Sequence, residues 1–119
     1  MRRRDVLILA GAAAAGPALT RAAAREAVIY DSRFPEAECL GQAAQRSGAV
    51  ALDVHREDIA RLWRGPVSAA LKRGRAAKVS GLTTWADFQV AAGFAHEARL
   101  RPVRHMFTKD RTLVSWSIG

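Results

Sequence analysis

Short apolar runs alternate along the chain with longer segments in which apolar residues recur every three or four positions. The short runs are rich in β-branched and aromatic residues, which predicts β-strands. The predicted strands cover residues 27–30, 49–54, 77–80, 101–107 and 113–118. Apolar and polar residues alternate in the last of them, as expected for a strand with one wetter face. The short polar segment between the last two strands predicts a hairpin loop.

The intervening segments predict helices with recognisable ends. Pro35 stands at a first helical position, and Gly48 is expected to end that helix. One apolar stripe follows the second strand, and Pro66 is expected to split it into two short helices. Thr84 and Asp87 have the spacing of a capping box, which predicts the start of a long helix.

The predicted element order is β-α-β-α-α-β-α-β-β. Strands that alternate with helices favour a mostly parallel sheet with helices on both faces. The last two strands are joined by a short loop and are therefore expected to pair antiparallel. We predict a small three-layer α/β/α domain whose sheet is mostly parallel and ends in an antiparallel hairpin. A thioredoxin-like arrangement is the alternative, although the Cys-x-x-Cys pair is missing.

The first 24 residues differ in character from the rest of the chain. The segment Arg2-Arg3-Arg4 precedes Asp5 and a 14-residue apolar stretch, which is too short for a stable membrane anchor. Small residues follow and end at Ala24. This layout predicts an export signal over residues 1–24 that is cleaved after Ala24, and a single domain over residues 25–119.

Arg3 and Arg4 precede one variable residue and then Val6 and Leu7, which resembles the twin-arginine motif of Tat export signals. The Ala- and Gly-rich middle is also similar to Tat signals. The motif departs from the fullest pattern, because Arg2 precedes the pair and no Lys follows. The resemblance implies transient contact with the Tat translocase, export in a folded state, and a mature protein that is periplasmic or secreted. Export by the Sec route and an N-terminal helix with a basic cap are alternatives that share this charge layout.

Composition narrows the function classes less than the N-terminus does. The chain of 119 residues has a formal net charge of +8, carried by 16 Arg and 3 Lys against 11 acidic residues. Such a charge attracts anions, but it does not by itself indicate nucleic acid. A single Cys excludes an internal disulfide and a Cys-rich zinc site. No Gly-rich phosphate loop is present, so neither a cofactor nor a metal is predicted.

Candidate chemistry lies where the predicted strands end. Ligands of open α/β sheets bind beyond the carboxyl ends of the strands. Six residues fall there: Asp31, Ser32, Arg33, Asp53, His55 and Thr83. Two predicted helices begin at this edge, and helix N-termini favour anions. A guanidinium adds a bidentate donor for carboxylate or phosphate. The pattern therefore predicts a site for an anion or small molecule.

Each of these residues also has a structural interpretation. Asp31 and Asp53 are of the type that caps a turn or helix beside a strand. Arg33 is close enough in sequence to pair with Glu36, and such surface pairs contribute little. His55 fits an exposed loop residue. The sequence leaves both interpretations open.

Other chemistry-bearing residues fit structural roles. Cys39 lies in a predicted helix, where a buried and inert thiol is expected. His96 and His105 match no metal motif, and His105 alternates with apolar strand residues, as a packed side chain would. The three tryptophans fit apolar stripes and are expected in the core; they are Trp63, Trp85 and Trp116.

A basic run surrounds the first tryptophan. It consists of Arg61, Arg64, Lys72, Arg73, Arg75 and Lys78. A nucleic-acid site would combine such cations with stacking aromatic rings. Trp63 belongs to the apolar stripe instead, so a solvated helix face is the favoured interpretation and nucleic acid is not. An acidic protein partner or an anionic membrane surface fits this charge better.

The sequence favours an exported, non-catalytic binding or accessory module, such as the small partner of an exported redox enzyme in the periplasm. The basis is a Tat-like signal joined to a domain without a catalytic or cofactor motif. The alternative is a small enzyme or ligand-binding protein that uses the strand-end residues.

Overall fold

The computed structural model describes residues 26–119. The predicted export signal, with Arg3 and Arg4, lies outside these residues and stays a prediction. The elements are β1 (Glu26–Tyr30), α1 (Pro35–Arg46), β2 (Val50–Asp53), α2 (Ile59–Leu62), a π-helical turn (Trp63–Val67), α3 (Ser68–Lys72), β3 (Lys78–Thr83), α4 (Trp85–Glu97), β4 (Pro102–Phe107) and β5 (Val114–Ile118). The predicted α/β class is confirmed, and the elements follow the predicted order except between β2 and β3.

The five strands form one mixed sheet with the order β2-β1-β3-β5-β4. β1 pairs parallel with β2 and with β3, whereas β5 pairs antiparallel with β3 and with β4. The prediction of a mostly parallel sheet is therefore wrong. The reason is that β5 enters the sheet between β3 and β4, so one short hairpin creates two antiparallel interfaces.

Helices cover the two faces of the sheet unequally. Ala27 and Ile29 of β1 pack in the large core beneath α2, α3 and α4, whereas Tyr30 packs with Ala37 of α1 in a smaller cluster. Because side chains alternate along a strand, these clusters lie on opposite faces. Complete burial of a side chain such as Ile29 contributes about 1.5–3 kcal/mol. The large core therefore supplies most of the apolar stabilisation.

A tryptophan in β5 requires a glycine at the neighbouring position of β3. The indole of Trp116 in β5 lies directly against Gly81 of β3, its register partner. A Cβ atom at Gly81 would overlap carbons of the indole ring. Only glycine leaves room for this ring, and the contact explains why a residue unfavourable in strands stands inside β3.

The segment between β2 and β3 differs from the prediction. Pro66 does not divide it into two separate helices, because the chain continues from α2 into α3 through the π-helical turn. A π turn widens the helix by one residue. This widening accommodates a proline that would otherwise lose a hydrogen bond and clash with the preceding turn. The hydroxyl of Ser68 donates a bond of 2.8 Å to the carbonyl of Trp63, which also accepts from the backbone N–H of Ser68.

The predicted helix ends are largely confirmed. Pro35 begins α1 at its first turn, and Gly48 follows its end with φ of 85°, a value that favours glycine. The Oγ1 atom of Thr84 accepts a 3.4 Å bond from the backbone N–H of Asp87 at the start of α4. Cys39 is exposed on α1, so the expectation of a buried thiol is wrong.

β4 forms one edge of the sheet and is built to resist further pairing. It begins at Pro102, which lacks a backbone N–H, and its register with β5 shifts between Arg104 and Met106. The extra residue is His105, which is exposed, so the expectation that it packs inside is wrong. Prolines, bulges and charges are the usual means by which an edge strand avoids pairing with another chain.

None of the helices formed by residues 26–119 has the length and apolar character that a membrane span needs.

Candidate functional site

The most buried charge of the domain follows β1. The side chain of Asp31 is fully buried, and Arg33 holds it in a bidentate ion pair through Nε, at 2.9 Å from Oδ1, and Nη2. The backbone N–H of Arg33 donates a further bond of 3.1 Å to Oδ1. Burial acts to raise the pKa of Asp31, but the hydrogen bonds and charge of Arg33 outweigh it and hold this pKa below its ordinary value.

Asp53 ends β2 and links two loops. Its Oδ1 accepts one bond of 3.0 Å from the backbone N–H of Ser32 and one of 2.9 Å from that of His55. Burial opposes ionisation of Asp53, but these bonds lower its pKa overall. The structure thus brings Asp31, Ser32, Arg33 and Asp53 together, and we call these four residues the strand-end cluster.

His55 and Thr83 serve the fold. His55 contributes its backbone N–H to the cluster, while the residue is exposed. Thr83 is fully buried at the end of β3, where its Oγ1 accepts a bond of 3.0 Å from the indole Nε1 of Trp116. The same hydroxyl donates a bond of 3.0 Å to the carbonyl of Thr84. The Thr83 side chain is therefore committed to internal partners, and the expectation that it joins a ligand site receives no support from these contacts.

Asp87 is a neighbour of the strand-end cluster that the sequence indicated only as a helix residue. It lies in the first turn of α4, where burial and the negative charge of Asp31 raise its pKa above the ordinary value, against the effect of Arg33. Three carboxylates therefore share this edge of the sheet with Arg33 and Arg56. Within residues 26–119, however, no three metal-ligating side chains are placed to hold a metal ion.

An open groove of about 410 Å³ lies beside the other edge strand, β2. It is bordered by Glu38 and Gln42 of α1 on one side and by Arg56 and Glu57 on the other. Asp53 reaches this groove, and Arg56 approaches it with Nε at 3.7 Å from the carboxylate. The groove is shallow and mixed in charge, so it singles out no particular ligand.

The C-terminal hairpin carries all of the excess charge of the described domain. Residues 26–98 contain nine basic and nine acidic residues, whereas residues 99–119 contain five basic residues and one acidic residue, Asp110. The five cations are Arg99, Arg101, Arg104, Lys109 and Arg111. All five are exposed, and none pairs with a carboxylate of residues 26–119 within 4.0 Å.

Apolar side chains are exposed among these cations. Val103 is 40% and Met106 72% exposed on the open face of β4. On the other face, Trp85 is 41% exposed, and its ring lies 5.8 Å from that of Phe107. The expectation that all three tryptophans belong to the core is thus wrong for Trp85 and right for the other two. We call the five cations, with Val103 and Met106, the hairpin surface.

Two of these cations occupy backbone positions that favour glycine. Arg99 has φ of 60° and follows the end of α4 in a Schellman motif, in which Leu100 N–H donates 2.8 Å to the carbonyl of Ala95. Arg111 has φ of 62° in the hairpin loop, at the left-handed position that follows a β-turn. Side chains with a Cβ atom cost about 1–2 kcal/mol in this conformation. No apolar or charge pattern in the sequence reveals this feature.

Aromatic contacts orient the guanidinium groups of the hairpin. The centre of the Arg111 guanidinium lies 4.7 Å from the centroid of Phe107, and that of Arg104 lies 5.6 Å from the same ring. Such contacts contribute about 0.5–1 kcal/mol at exposed sites. They hold two positive charges over Phe107, whose ring lies 5.8 Å from that of Trp85.

The basic run around Trp63 behaves as a solvated helix face. Trp63 is buried and stacks on Phe94, with ring centroids 6.2 Å apart. Arg64 covers the same phenylalanine at 5.1 Å and remains exposed. The tryptophan offers no free face for a base, so these contacts support the structural interpretation of this run.

No protein-family model matches this sequence, and neither a curated protein nor a solved structure is significantly similar to it.

Proposed function

We propose that this protein is an exported, non-catalytic binding module that recognises a larger partner, a protein or a membrane surface, through its hairpin surface. The observation that carries the proposal is the separation of charge: residues 26–98 are neutral in sum, and residues 99–119 hold a net charge of +4. Exposed cations that surround exposed apolar side chains are typical of interaction surfaces. The module would act in the periplasm or outside the cell, after a Tat-type signal has directed its export.

The contacts of the strand-end cluster support a binding role over catalysis. A general acid or base needs a titrating oxygen that reaches the substrate. Asp31 is enclosed by Arg33, and the Oδ1 atom of Asp53 is occupied by two backbone donors. Both carboxylates favour the ionised state, in which they hold loops together. They fit the structural interpretation better than that of catalytic groups.

The binding role is tested by photo-crosslinking in the producing cells. A photoreactive residue replaces Met106 on the hairpin surface, and a matched control replaces Val90, which is 42% exposed on α4. We expect a discrete adduct, with protein or lipid, at position 106 only. The adduct should disappear when Arg99 and Arg111 are both replaced by glycine. Equal labelling at both positions, or none at either, would contradict the proposal.

The export step is tested separately. Residues 1–30 are fused to a reporter that fluoresces only when it folds before export. We expect periplasmic fluorescence that is lost on replacement of Arg3 and Arg4 by lysine. Export that persists in this double variant would show that the Tat motif is not used.

A small-anion site at the strand ends is the second candidate. The observation in its favour is that the Arg33 side chain remains 52% exposed although it binds Asp31. Guanidinium groups bind phosphate and carboxylate well. A melting temperature that rises with inorganic phosphate, and no longer rises in Arg33→Gln, would favour this site. An unchanged melting temperature would exclude a phosphate site there.

A further inference from the structure

The hairpin surface has a shape that restricts the kind of partner it fits. Its cations run along β4, from Arg101 before the strand to Arg111 in the loop beyond it. A strand of six residues is about 20 Å long. β4 is the outermost strand on this side of the sheet, so the hairpin forms a free edge.

Apolar groups lie on both sides of this edge. Val103 and Met106 pair with Ser117 and Ser115 of β5, on the face that α4 does not cover. On the opposite face, Phe107 pairs with Val114 and contacts Trp85. A folded protein surface would meet one of these faces at a time. A fluid lipid interface receives a free edge from both sides at once.

The charges match a membrane surface in the same way. Anionic lipids attract each Lys or Arg near the surface by about 1 kcal/mol. Five exposed cations against one carboxylate give a substantial attraction, and the exposed apolar side chains add the second contribution that stable interfacial binding needs. Tryptophan at such an edge is a common anchor at the level of the lipid headgroups.

Backbone conformation adds an independent argument. Arg99 and Arg111 stand at left-handed positions where glycine is more stable, with φ of 60° and 62°. Strained backbone positions cluster at functional sites. Both strained residues are cations of the hairpin surface. The fold therefore gives up stability at the place where it gains positive charge.

We propose that the hairpin surface docks this protein onto an anionic phospholipid surface. This inference rests on the proposed function and names its partner. The partner is a surface that presents many phosphate groups above an apolar layer. Arginine side chains contact the phosphates, while Met106, Val103 and the ring of Trp85 enter the apolar boundary.

The test uses vesicles and the fluorescence of the full chain. Vesicles contain phosphatidylglycerol and phosphatidylcholine at 40:60, or phosphatidylcholine alone, chosen as the probe compositions. Trp63 and Trp116 are buried, so a change in tryptophan emission on binding reports on Trp85. We expect a blue shift and co-sedimentation with the anionic vesicles only. The shift should be lost in Trp85→Phe, while co-sedimentation remains.

Paired variants separate charge at the hairpin from charge in general. Arg99→Gly with Arg111→Gly removes two charges at positions where glycine is favoured, so the variant should fold at least as well as the parent protein. We expect its vesicle affinity to fall about 25-fold, since each cation contributes about five-fold. The control, Arg46→Gln with Arg56→Gln, removes two exposed charges beside β2 and should change affinity less than three-fold.

The outcomes distinguish this inference from the function on which it rests. Equal losses of vesicle affinity in the two charge variants would overturn hairpin docking on anionic lipid. Binding to vesicles made only of phosphatidylcholine would also overturn it. A protein adduct at position 106 without vesicle binding would overturn the lipid proposal and leave the binding module intact. Absence of both the adduct and vesicle binding would overturn the two proposals together.

Discussion

The strand-end cluster and the hairpin surface are both rich in charge, but in the part of the chain that the structure describes, the carboxylates of the first have partners and the cations of the second have no carboxylate partner. At the strand ends, each carboxylate has its partners: Arg33 for Asp31, and two backbone N–H groups for Asp53. At the hairpin, no cation has a carboxylate partner among residues 26–119, and two cations stand in a strained backbone conformation. Charge that a fold neutralises serves the fold, whereas charge that it leaves exposed is available to a partner.

This contrast reverses the expectation from topology. Beyond the carboxyl ends of parallel strands is the usual place for a ligand in an α/β sheet, and the polar residues there are of suitable types. The contacts show that both oxygens of Asp31 and the Oδ1 atom of Asp53 already have hydrogen-bond partners. The antiparallel hairpin, which topology marks as an ordinary edge, holds the unbalanced chemistry.

The largest expected effect follows from removal of the Asp53 carboxylate. Asp53→Ala leaves the backbone N–H groups of Ser32 and His55 without their acceptor. We expect the free energy of unfolding to fall by about 2–3 kcal/mol, as measured by urea denaturation. Lys109→Ala at the hairpin is the matched control and should change it by less than about 0.5 kcal/mol. Similar losses in the two variants would remove the distinction between the regions.

Acid should weaken the contacts of the strand-end cluster. The pKa of Asp31 and that of Asp53 are lowered in the fold, so their stabilisation is complete above the ordinary value near 4 and is lost as the pH falls through the lower, folded values. Between pH 7 and pH 2, the free energy of unfolding should therefore change less with pH in the double variant Asp31→Asn with Asp53→Asn than in the parent protein. A double variant with the parent's pH dependence would show that neither carboxylate is linked to folding.

Asp87 should show the opposite sign. Burial and the charge of Asp31 raise its pKa, so its ionisation opposes folding as the pH rises through the folded value. Asp87→Asn removes this opposition. We expect its stability, relative to the parent protein, to be greater at pH 7 than at pH 3 in the same denaturation series. A constant difference across this range would contradict the assigned direction.

A smaller effect is expected at the hairpin, where a substitution should increase the stability of the protein. Arg99→Gly relieves a left-handed residue at the end of α4 and should stabilise the protein by about 1 kcal/mol. For a domain of this size, the melting temperature should rise by about 4–8 °C. Arg101→Gly, at a residue without positive φ, should lower it instead. A loss of stability in both variants would mean that Arg99 serves the fold.

Periodicity and local chemistry predicted most of the elements of this fold. The caps at Pro35 and Thr84 depend on neighbouring residues, and local signals of this kind can be recognised in one sequence. The pairing of β5 could not be predicted in the same way. Its place between β3 and β4 depends on the contact of Trp116 with Gly81, which are 35 positions apart.

The candidate sites show the same limit. The sequence placed Asp31 and Asp53 at one edge of the sheet, because strand ends can be located from the apolar runs. Whether their oxygens are free depends on loop geometry, which brings the N–H groups of Ser32 and His55 to Asp53. The cations of the hairpin were visible in the sequence, but the basic run around Trp63 resembled them. Only the burial of Trp63 and the exposure of Trp85 separate the two.

Pro102 and the extra residue at His105 have a consequence for crowded conditions. An edge strand that lacks one N–H and has a register shift cannot form regular hydrogen-bonded pairs with the same edge of another molecule. Copies of this protein can therefore accumulate side by side at high local density without growing into fibrils through β4. Replacement of Pro102 by threonine together with deletion of His105 would restore a regular edge. Such a variant could then form fibrils through β4.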